Sequence, residues 1–298
     1  MSEVAAPRLE GTAAVRNGRV LSFAEFGAPG GAPIIWMHGT PGARRQIPVE
    51  ARLYAEQHDI RLIGIDRPGI GTSTQHLYRN VFDWVGDLAL FADVLEAETF
   101  RIIGLSGGGP YALAAGAGLP GRVKGVGVLG GVAPRKGPDA IGGGATALTP
   151  YLAPILSCTR VPLGFALAQG IRIIRPLAGP ALDAYAAVQP KGDKEILARP
   201  EFRAMFLDDL LNGARFQVSA PLADVVLFTR PWGFEASEVT VPVVWWHGDK
   251  DHIIPHRHGE HMVERLPEAE LRTVPGESHL GTMGFAEEIL ETLMSLGG

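Results

Sequence analysis

Residues 100–110 read FRIIGLSGGGP, and this stretch decides the fold. Phe100–Leu105 is a short apolar run of the kind that forms a buried strand. The residues after it favour a helix, since Pro110 suits a first turn, where no N–H donor is needed. Between the two elements lies a G-x-S-x-G sequence centred on Ser106. Glycines two before and two after the serine allow a very sharp turn, which predicts a strained serine with an exposed hydroxyl.

The segments on both sides of this stretch alternate between predicted strands and helices. Asn17-Gly18 favours a tight hairpin turn with two positive φ angles. Further strands are predicted at residues 34–37, 62–65, 123–129, 241–246 and 271–274, and helices at 51–58, 81–98, 107–118, 256–266 and 285–296. Strands that alternate with helices pair in parallel through right-handed crossovers. We therefore expect an α/β fold built on a mostly parallel, doubly wound sheet.

The alternation is interrupted between residues 133 and 237. This part is rich in Pro, Gly and apolar helical stretches, and no segment of it is convincing as a strand. The strand pattern resumes directly after it. We therefore predict one core, formed by residues 1–132 and 238–298, with residues 133–237 inserted as a helical cap.

Composition excludes several classes of protein. The net charge is −5 without a run of Lys or Arg, so no nucleic-acid partner is expected. Cys158 is the only cysteine, which excludes a disulfide framework and a cysteine-based zinc site. The first ten residues carry no apolar signal core, and no uninterrupted run of about 18 apolar residues suggests a membrane span. We expect a cytoplasmic protein whose oligomeric state is open.

Four histidines lie close together in the sequence, as metal ligands often do. They are His252, His256, His258 and His261. Arg257 and Glu260 lie among them, which is typical of a solvated helix start rather than a metal site. We therefore expect neither a metal ion nor another cofactor.

The segment Gly104-Leu105-Ser106-Gly107-Gly108-Gly109-Pro110 resembles the nucleophile elbow of the α/β-hydrolase superfamily. The order of the predicted elements is similar to that superfamily over nearly the whole chain. The resemblance implies a catalytic triad in the order serine, acid, histidine, with Ser106 as the nucleophile. It places the base at His279, after the last strand. It places the acid after the preceding strand, where the family pattern Gly-x-x-Asp favours Asp251 over Asp249.

A second segment, His38-Gly39-Thr40-Pro41-Gly42, resembles the His-Gly loop that completes the oxyanion hole in this superfamily. By this resemblance the donors are the N–H groups of Thr40 and Gly107, with Gly39 next in line. His38 itself is interpreted as structural. Arg67, in another loop sequence that recurs in the superfamily, is interpreted as a brace for its loop.

The predicted cap is mostly apolar, which favours a small-molecule substrate with an uncharged acyl or alkyl group. Arg172 and Arg175 fit a solvated helix face. The main hypothesis is therefore a carboxylic-ester hydrolase that forms an acyl-enzyme on small or medium apolar esters. Relatives with the same triad cleave C–C bonds in diketones, thioesters, or amides in N-terminal peptides. For the last reaction Glu195 and Glu201 are candidates to hold the substrate amine. A non-catalytic ligand-binding protein is the remaining alternative.

Overall fold

The computed structural model describes residues 6–297. Within this range the strands are β1 (Leu9–Ala14), β2 (Val20–Gly27), β3 (Ala32–Met37), β4 (Ile60–Ile65), β5 (Phe100–Leu105), β6 (Val123–Leu129), β7 (Val243–Gly248) and β8 (Ala269–Val274). They form one sheet in the order β1-β2-β4-β3-β5-β6-β7-β8. β2 is antiparallel to β1 and β4, and all other neighbouring pairs are parallel. The predicted mostly parallel sheet is confirmed.

The helices are α1 (Val49–Gln57), α2 (Val85–Val94), α3 (Gly109–Gly118), α4 (Thr149–Ile173), α5 (Ala178–Ala187), α6 (Lys191–Ala198), α7 (Pro200–Gly213), α8 (Ala220–Leu227), α9 (Arg257–Val263) and α10 (Ala286–Ser295). One face of the sheet packs against α2, α3 and α9. The other face packs against α1 and α10. Because side chains alternate along a strand, the neighbours Ile102 and Ile103 enter these two different cores. The sheet is thus doubly wound.

The hairpin turn agrees with the sequence prediction, whereas one helix ends earlier than predicted. Asn17 and Gly18 have φ angles of 60° and 67°, as predicted for the hairpin turn. The helix predicted at 81–98 ends earlier, at Val94. Glu96 there adopts a left-handed φ of 55°, and the Ala97 N–H then bonds to the Ala92 carbonyl, which closes the helix end.

Five helices, α4 to α8, lie between β6 and β7 in the described chain. No strand occurs among them; Val218 alone forms an isolated bridge, to Ile70. Helix α4 packs along α8, and its buried residues follow a narrow seam. The division of the chain at residues 133 and 237 stays a prediction.

The stretch Gly144–Ile173 contains a helix long and apolar enough to cross a membrane by length and composition alone. Of its most apolar window, 22% is buried in the structure. The exposed apolar side chains along it include Tyr151, Ile155 and Ile173. The sequence-level expectation of no such stretch rested on uninterrupted apolar runs, and Arg160 interrupts this one.

Candidate active site

Ser106 lies at the carboxyl end of the central strand β5, where the chain turns sharply into a helix. Its φ is 51°, in the left-handed region that a residue with a side chain rarely adopts. A Cβ added at Gly104 would lie 2.6 Å from the Gly108 carbonyl oxygen, and one at Gly108 would collide with the Met37 carbonyl. The two flanking glycines are therefore sterically required. The predicted strained turn is present, and such a conformation costs about 1–3 kcal/mol.

The structure brings Ser106, His279 and Asp251 into one hydrogen-bonded chain. His279 Nε2 lies 2.8 Å from Ser106 Oγ, and His279 Nδ1 lies 2.7 Å from Asp251 Oδ2. The three residues follow β5, β8 and β7, so they meet at the carboxyl edge of the parallel strands, where open α/β sheets build their sites. All three are more than nine-tenths buried, which strengthens the electrostatic contacts between them.

The Asp251 carboxylate has a partner on each of its oxygens. Oδ1 accepts the N–H groups of Ile253 and Ile254 at 2.9 and 2.8 Å. Oδ2 faces His279 and, at 3.4 Å, His247 Nε2. Burial by itself raises the pKa of Asp251, but the hydrogen bonds from His247 and His279 outweigh it and hold that pKa below its usual range. An ionised Asp251 accepts from His279 Nδ1–H, which leaves Nε2 free to accept the Ser106 proton.

Asp249, the other candidate acid, takes a different place. Its Oδ1 accepts the Gly276 N–H at 2.7 Å, and its Oδ2 lies 3.5 Å from Lys250 Nζ. Asp249 therefore holds the neighbouring loop, and the carboxylate that accepts the hydrogen bond from His279 Nδ1 is that of Asp251.

The predicted oxyanion loop lies against the nucleophile elbow. A Cβ on Gly107 would collide with the Thr40 side chain, so these two residues are immediate neighbours. Gly39 was also a candidate donor, and here the structure corrects the expectation. The Gly39 N–H already donates to Gln46 Oε1 at 2.7 Å, so it is not free to bind an oxyanion.

A buried polar network holds this loop. Arg67 donates to the Gly39 carbonyl at 2.9 Å, to Thr40 Oγ1 at 2.9 Å and to Asp224 at 2.7 Å. Thr40 Oγ1 donates to Asp224 at 2.5 Å, and Tyr111 donates to the other Asp224 oxygen at 2.6 Å. The interpretation of Arg67 as a brace agrees with these contacts. Asp224 lies on α8, between β6 and β7 in the chain. A residue of this helical segment therefore orients the loop that contains Thr40, at the edge of the sheet.

Ser106 and His279 open onto a cavity of about 360 Å³. Its other walls are Gly39, Thr40, Pro41, Gln46, Leu105, Ile171, Ile174, Ala178, Ala181, Leu182, Tyr185, Phe206, Leu207, Leu210, Ile253 and Leu280. We call this the reaction cavity. Most of its apolar side chains come from α4, α5 and α7. No carboxyl group occurs among these described wall residues.

A family model described as serine aminopeptidase, S33, matches residues 50–282 of this chain. The chain belongs to this family of α/β-hydrolases. The resemblance seen in the sequence around Ser106 is thereby confirmed at the level of the family and the fold.

Individual relatives of this hydrolase are distant and varied. It is 26% identical over 284 residues to the dihydrolipoyllysine-residue acetyltransferase component of the acetoin cleaving system of Pseudomonas putida, covering 94% of this chain and 67% of that protein. It is 30% identical over 131 residues to proline iminopeptidase of Neisseria gonorrhoeae, covering 42% of this chain and 41% of the peptidase. An esterase structure from Rhodococcus sp. ECU1013 has a TM-score of 0.65 at 20% identity, covering 97% and 99% of the two chains. That similarity shows the fold alone.

The four clustered histidines of the hydrolase do not converge. His258 Nδ1 accepts the Ala133 N–H at 3.2 Å, His256 contacts Thr273, and His261 contacts the Asp139 carbonyl. Among residues 6–297, no group of three or more His, Cys, Asp or Glu side chains is arranged to hold a metal ion.

Sequence reasoning missed Asp224 and Gln46, which hold the predicted oxyanion loop. Asp224 carried one usable signal, because it is the one charged residue in the apolar helix α8. A buried carboxylate needs a partner, so its presence there predicts an ion pair. Nothing in the sequence around Gln46 indicates its bond to Gly39.

Proposed function

We propose that this α/β-hydrolase is a carboxylic-ester hydrolase that acts on small or medium apolar acyl esters. The observation that carries the proposal is the hydrogen-bonded chain from Ser106 through His279 to Asp251, which opens onto the reaction cavity. A serine hydroxyl is a weak nucleophile at neutral pH and needs a base within hydrogen-bond reach. His279 meets that requirement, and Asp251 orients it.

The proposed reaction follows from this geometry. Ser106 Oγ attacks the ester carbonyl while His279 Nε2 takes its proton, and Asp251 stabilises the resulting imidazolium. The N–H groups of Thr40 and Gly107 hold the oxyanion, each such donor contributing about 3 kcal/mol to transition-state stabilisation. His279 then returns the proton to the departing alcohol. A water molecule, deprotonated by His279, releases the acyl group and restores Ser106.

The substrate class is inferred from the walls of the reaction cavity. Residues 133–237 are proposed to act as a cap, since α4, α5 and α7 supply most of the apolar side chains that face Ser106. An apolar wall stabilises an uncharged group and gives no hydrogen bonds to a sugar or a phosphate. Arg172 and Arg175 are exposed and outside the wall, so they offer no pairing partner for an acidic substrate there.

An aminopeptidase is the second candidate, because the family description and the proline iminopeptidase relatives name that activity. Such an enzyme must bind a substrate ammonium group, which calls for a carboxylate close to the nucleophile. The wall of the reaction cavity has none among the described residues. Glu195 pairs with Lys191 at the surface, and Glu201 is exposed in the first turn of α7. The ester reaction therefore ranks first.

The test is a substrate panel at equal concentration: p-nitrophenyl acetate and butyrate, proline p-nitroanilide, an acyl thioester and a diketone. We expect the p-nitrophenyl esters to give the highest kcat/KM. The control is Ser106→Ala, which should lower kcat by about 10⁴-fold or more while the protein stays folded. Faster cleavage of the anilide would favour the aminopeptidase. Undiminished ester hydrolysis by Ser106→Ala, or no labelling of Ser106 by a fluorophosphonate, would contradict the proposal.

A further inference from the structure

A second cavity, of about 230 Å³, adjoins the reaction cavity. Five residues line both: Pro41, Gln46, Ile171, Phe206 and Leu210. The lining residues that belong to the second cavity alone include Leu167 of α4, Asp209 of α7 and Leu222 of α8. We call it the distal chamber. Neither Ser106 nor His279 is among its lining residues.

The boundary between the two cavities is built largely from side chains. Ile171 lies on α4, and Phe206 and Leu210 lie one turn apart on α7. Such side chains exchange between staggered rotamers without a change in the backbone. A flexible ligand can therefore extend from the reaction cavity into the distal chamber.

The polar side chains of the distal chamber already have partners. The two oxygens of Asp209 accept the N–H groups of Arg45 and Ala43 at 3.0 and 2.9 Å. Burial raises the pKa of Asp209 to about 8. Gln46 accepts from Gly39 and donates to the Pro41 carbonyl. The chamber thus offers apolar contacts and no unpaired charge, which suits a methylene chain.

The positions of the two cavities decide which end of an ester points into the distal chamber. The departing alcohol must receive a proton from His279 Nε2, so it lies on the side of His279 and Ile253. The distal chamber is lined by Pro41 and Gln46 and by neither His279 nor Ile253. Given the proposed ester hydrolysis, we infer that the distal chamber binds the far end of the acyl chain, and that the preferred substrates are esters of medium-chain acids.

The first test measures kcat/KM for p-nitrophenyl acetate, butyrate, hexanoate, octanoate and decanoate. In the wild type each added methylene should raise kcat/KM by up to about fourfold until the chamber is full. Leu167→Trp fills the chamber from α4, and Leu222→Trp fills it from α8. Each should lower the ratio of octanoate to acetate kcat/KM by about tenfold or more relative to the wild type. The matched control is Leu163→Trp, one turn away on α4 and outside both cavities.

The outcomes separate this inference from the proposed function. Equal chain-length profiles in the wild type, Leu167→Trp and Leu222→Trp would overturn the distal chamber and leave ester hydrolysis intact. Failure of the wild type to hydrolyse any ester would contradict the proposed function instead. In that case calorimetric titration with acetate and octanoate tests the chamber by itself. Octanoate binding that is lost in Leu167→Trp and kept in Leu163→Trp supports it, and no octanoate binding overturns it.

Discussion

The sheet and the helices between β6 and β7 are built very differently. Ile103, on the central strand β5, is fully buried, whereas Ile155, on α4, is 64% exposed. The strands that precede Ser106 and Asp251, β5 and β7, are packed on both faces, so their geometry is determined by many contacts at once. Helix α4 buries one narrow seam. The comparison indicates that the sheet holds Ser106 and Asp251 rigidly, while helix α4 is held by fewer buried side chains.

The two regions meet at the predicted oxyanion loop. Asp224 of α8 binds both Thr40 and Arg67, which belong to loops after β3 and β4. Through this contact a change in α8 would reach the proposed reaction centre. The following predictions test how far the two regions are independent, from the largest expected effect to the smallest.

Asp251→Asn should lower kcat by about 10³- to 10⁴-fold, because an amide cannot hold His279 in the required tautomer or stabilise its charged form. The measurement is kcat for p-nitrophenyl butyrate. Asp249→Asn is the matched control from the same loop and should keep most of the activity. A large loss in Asp249→Asn with little loss in Asp251→Asn would show that Asp249, and not Asp251, is the catalytic acid.

Ile103→Ala should lower the free energy of unfolding by about 2–5 kcal/mol, because it leaves a cavity in a rigidly packed sheet. Ile155→Ala should change it by no more than about 0.5 kcal/mol, since that side chain is mostly exposed. Both values come from urea unfolding followed by circular dichroism. Similar losses in the two variants would show that α4 is covered in solution and would remove the contrast between the regions.

Thr40→Val keeps the N–H of the oxyanion loop and removes the hydroxyl that binds Asp224. We expect kcat to fall by about tenfold with KM little changed, because a slightly misplaced donor loses part of its transition-state stabilisation. Thr40→Ser keeps the hydroxyl and should be close to the wild type. If the valine and serine variants have equal kcat, the link from α8 to the oxyanion loop has no role in the reaction.

The last prediction concerns the slope of stability against pH on the sheet side, which for one titrating group is at most about 1.4 kcal/mol per pH unit. Burial lowers the pKa of His258 to about 4, from an ordinary value of about 6.5. Between these values the unfolded chain binds a proton that the folded chain excludes, so the free energy of unfolding falls as the pH falls from 6.5 to 4. Chemical unfolding at several pH values measures this slope.

His258→Asn keeps an acceptor for the Ala133 N–H and removes the titrating ring. Its stability should therefore fall less steeply with decreasing pH than that of the wild type. His58→Asn, at an exposed position, is the matched control and should follow the wild-type slope. A slope in His258→Asn equal to that of the wild type would assign the acid sensitivity to other groups.

The sequence alone was sufficient for the fold and for the local turns. The strained turn at Ser106 and the hairpin at Asn17-Gly18 were predictable because each depends on steric limits within a few residues. The order of strands and helices was predictable because hydrophobic periodicity reports which faces are buried. His279 and Asp251 were placed by resemblance, in loops after consecutive strands that a parallel sheet brings to one edge.

Other features were decided only by the tertiary structure. Thr40 and Asp224 are 184 positions apart, and no local pattern pairs them. The sequence leaves Gly39 as a plausible oxyanion donor, and only the tertiary structure shows that its N–H donates to Gln46 Oε1. The two adjoining cavities likewise depend on side chains of α4 and α7 that line them together with Pro41 and Gln46. Local sterics and periodicity act over a few residues and can be derived from sequence, whereas the shape of a cavity depends on the packing of distant segments against one another.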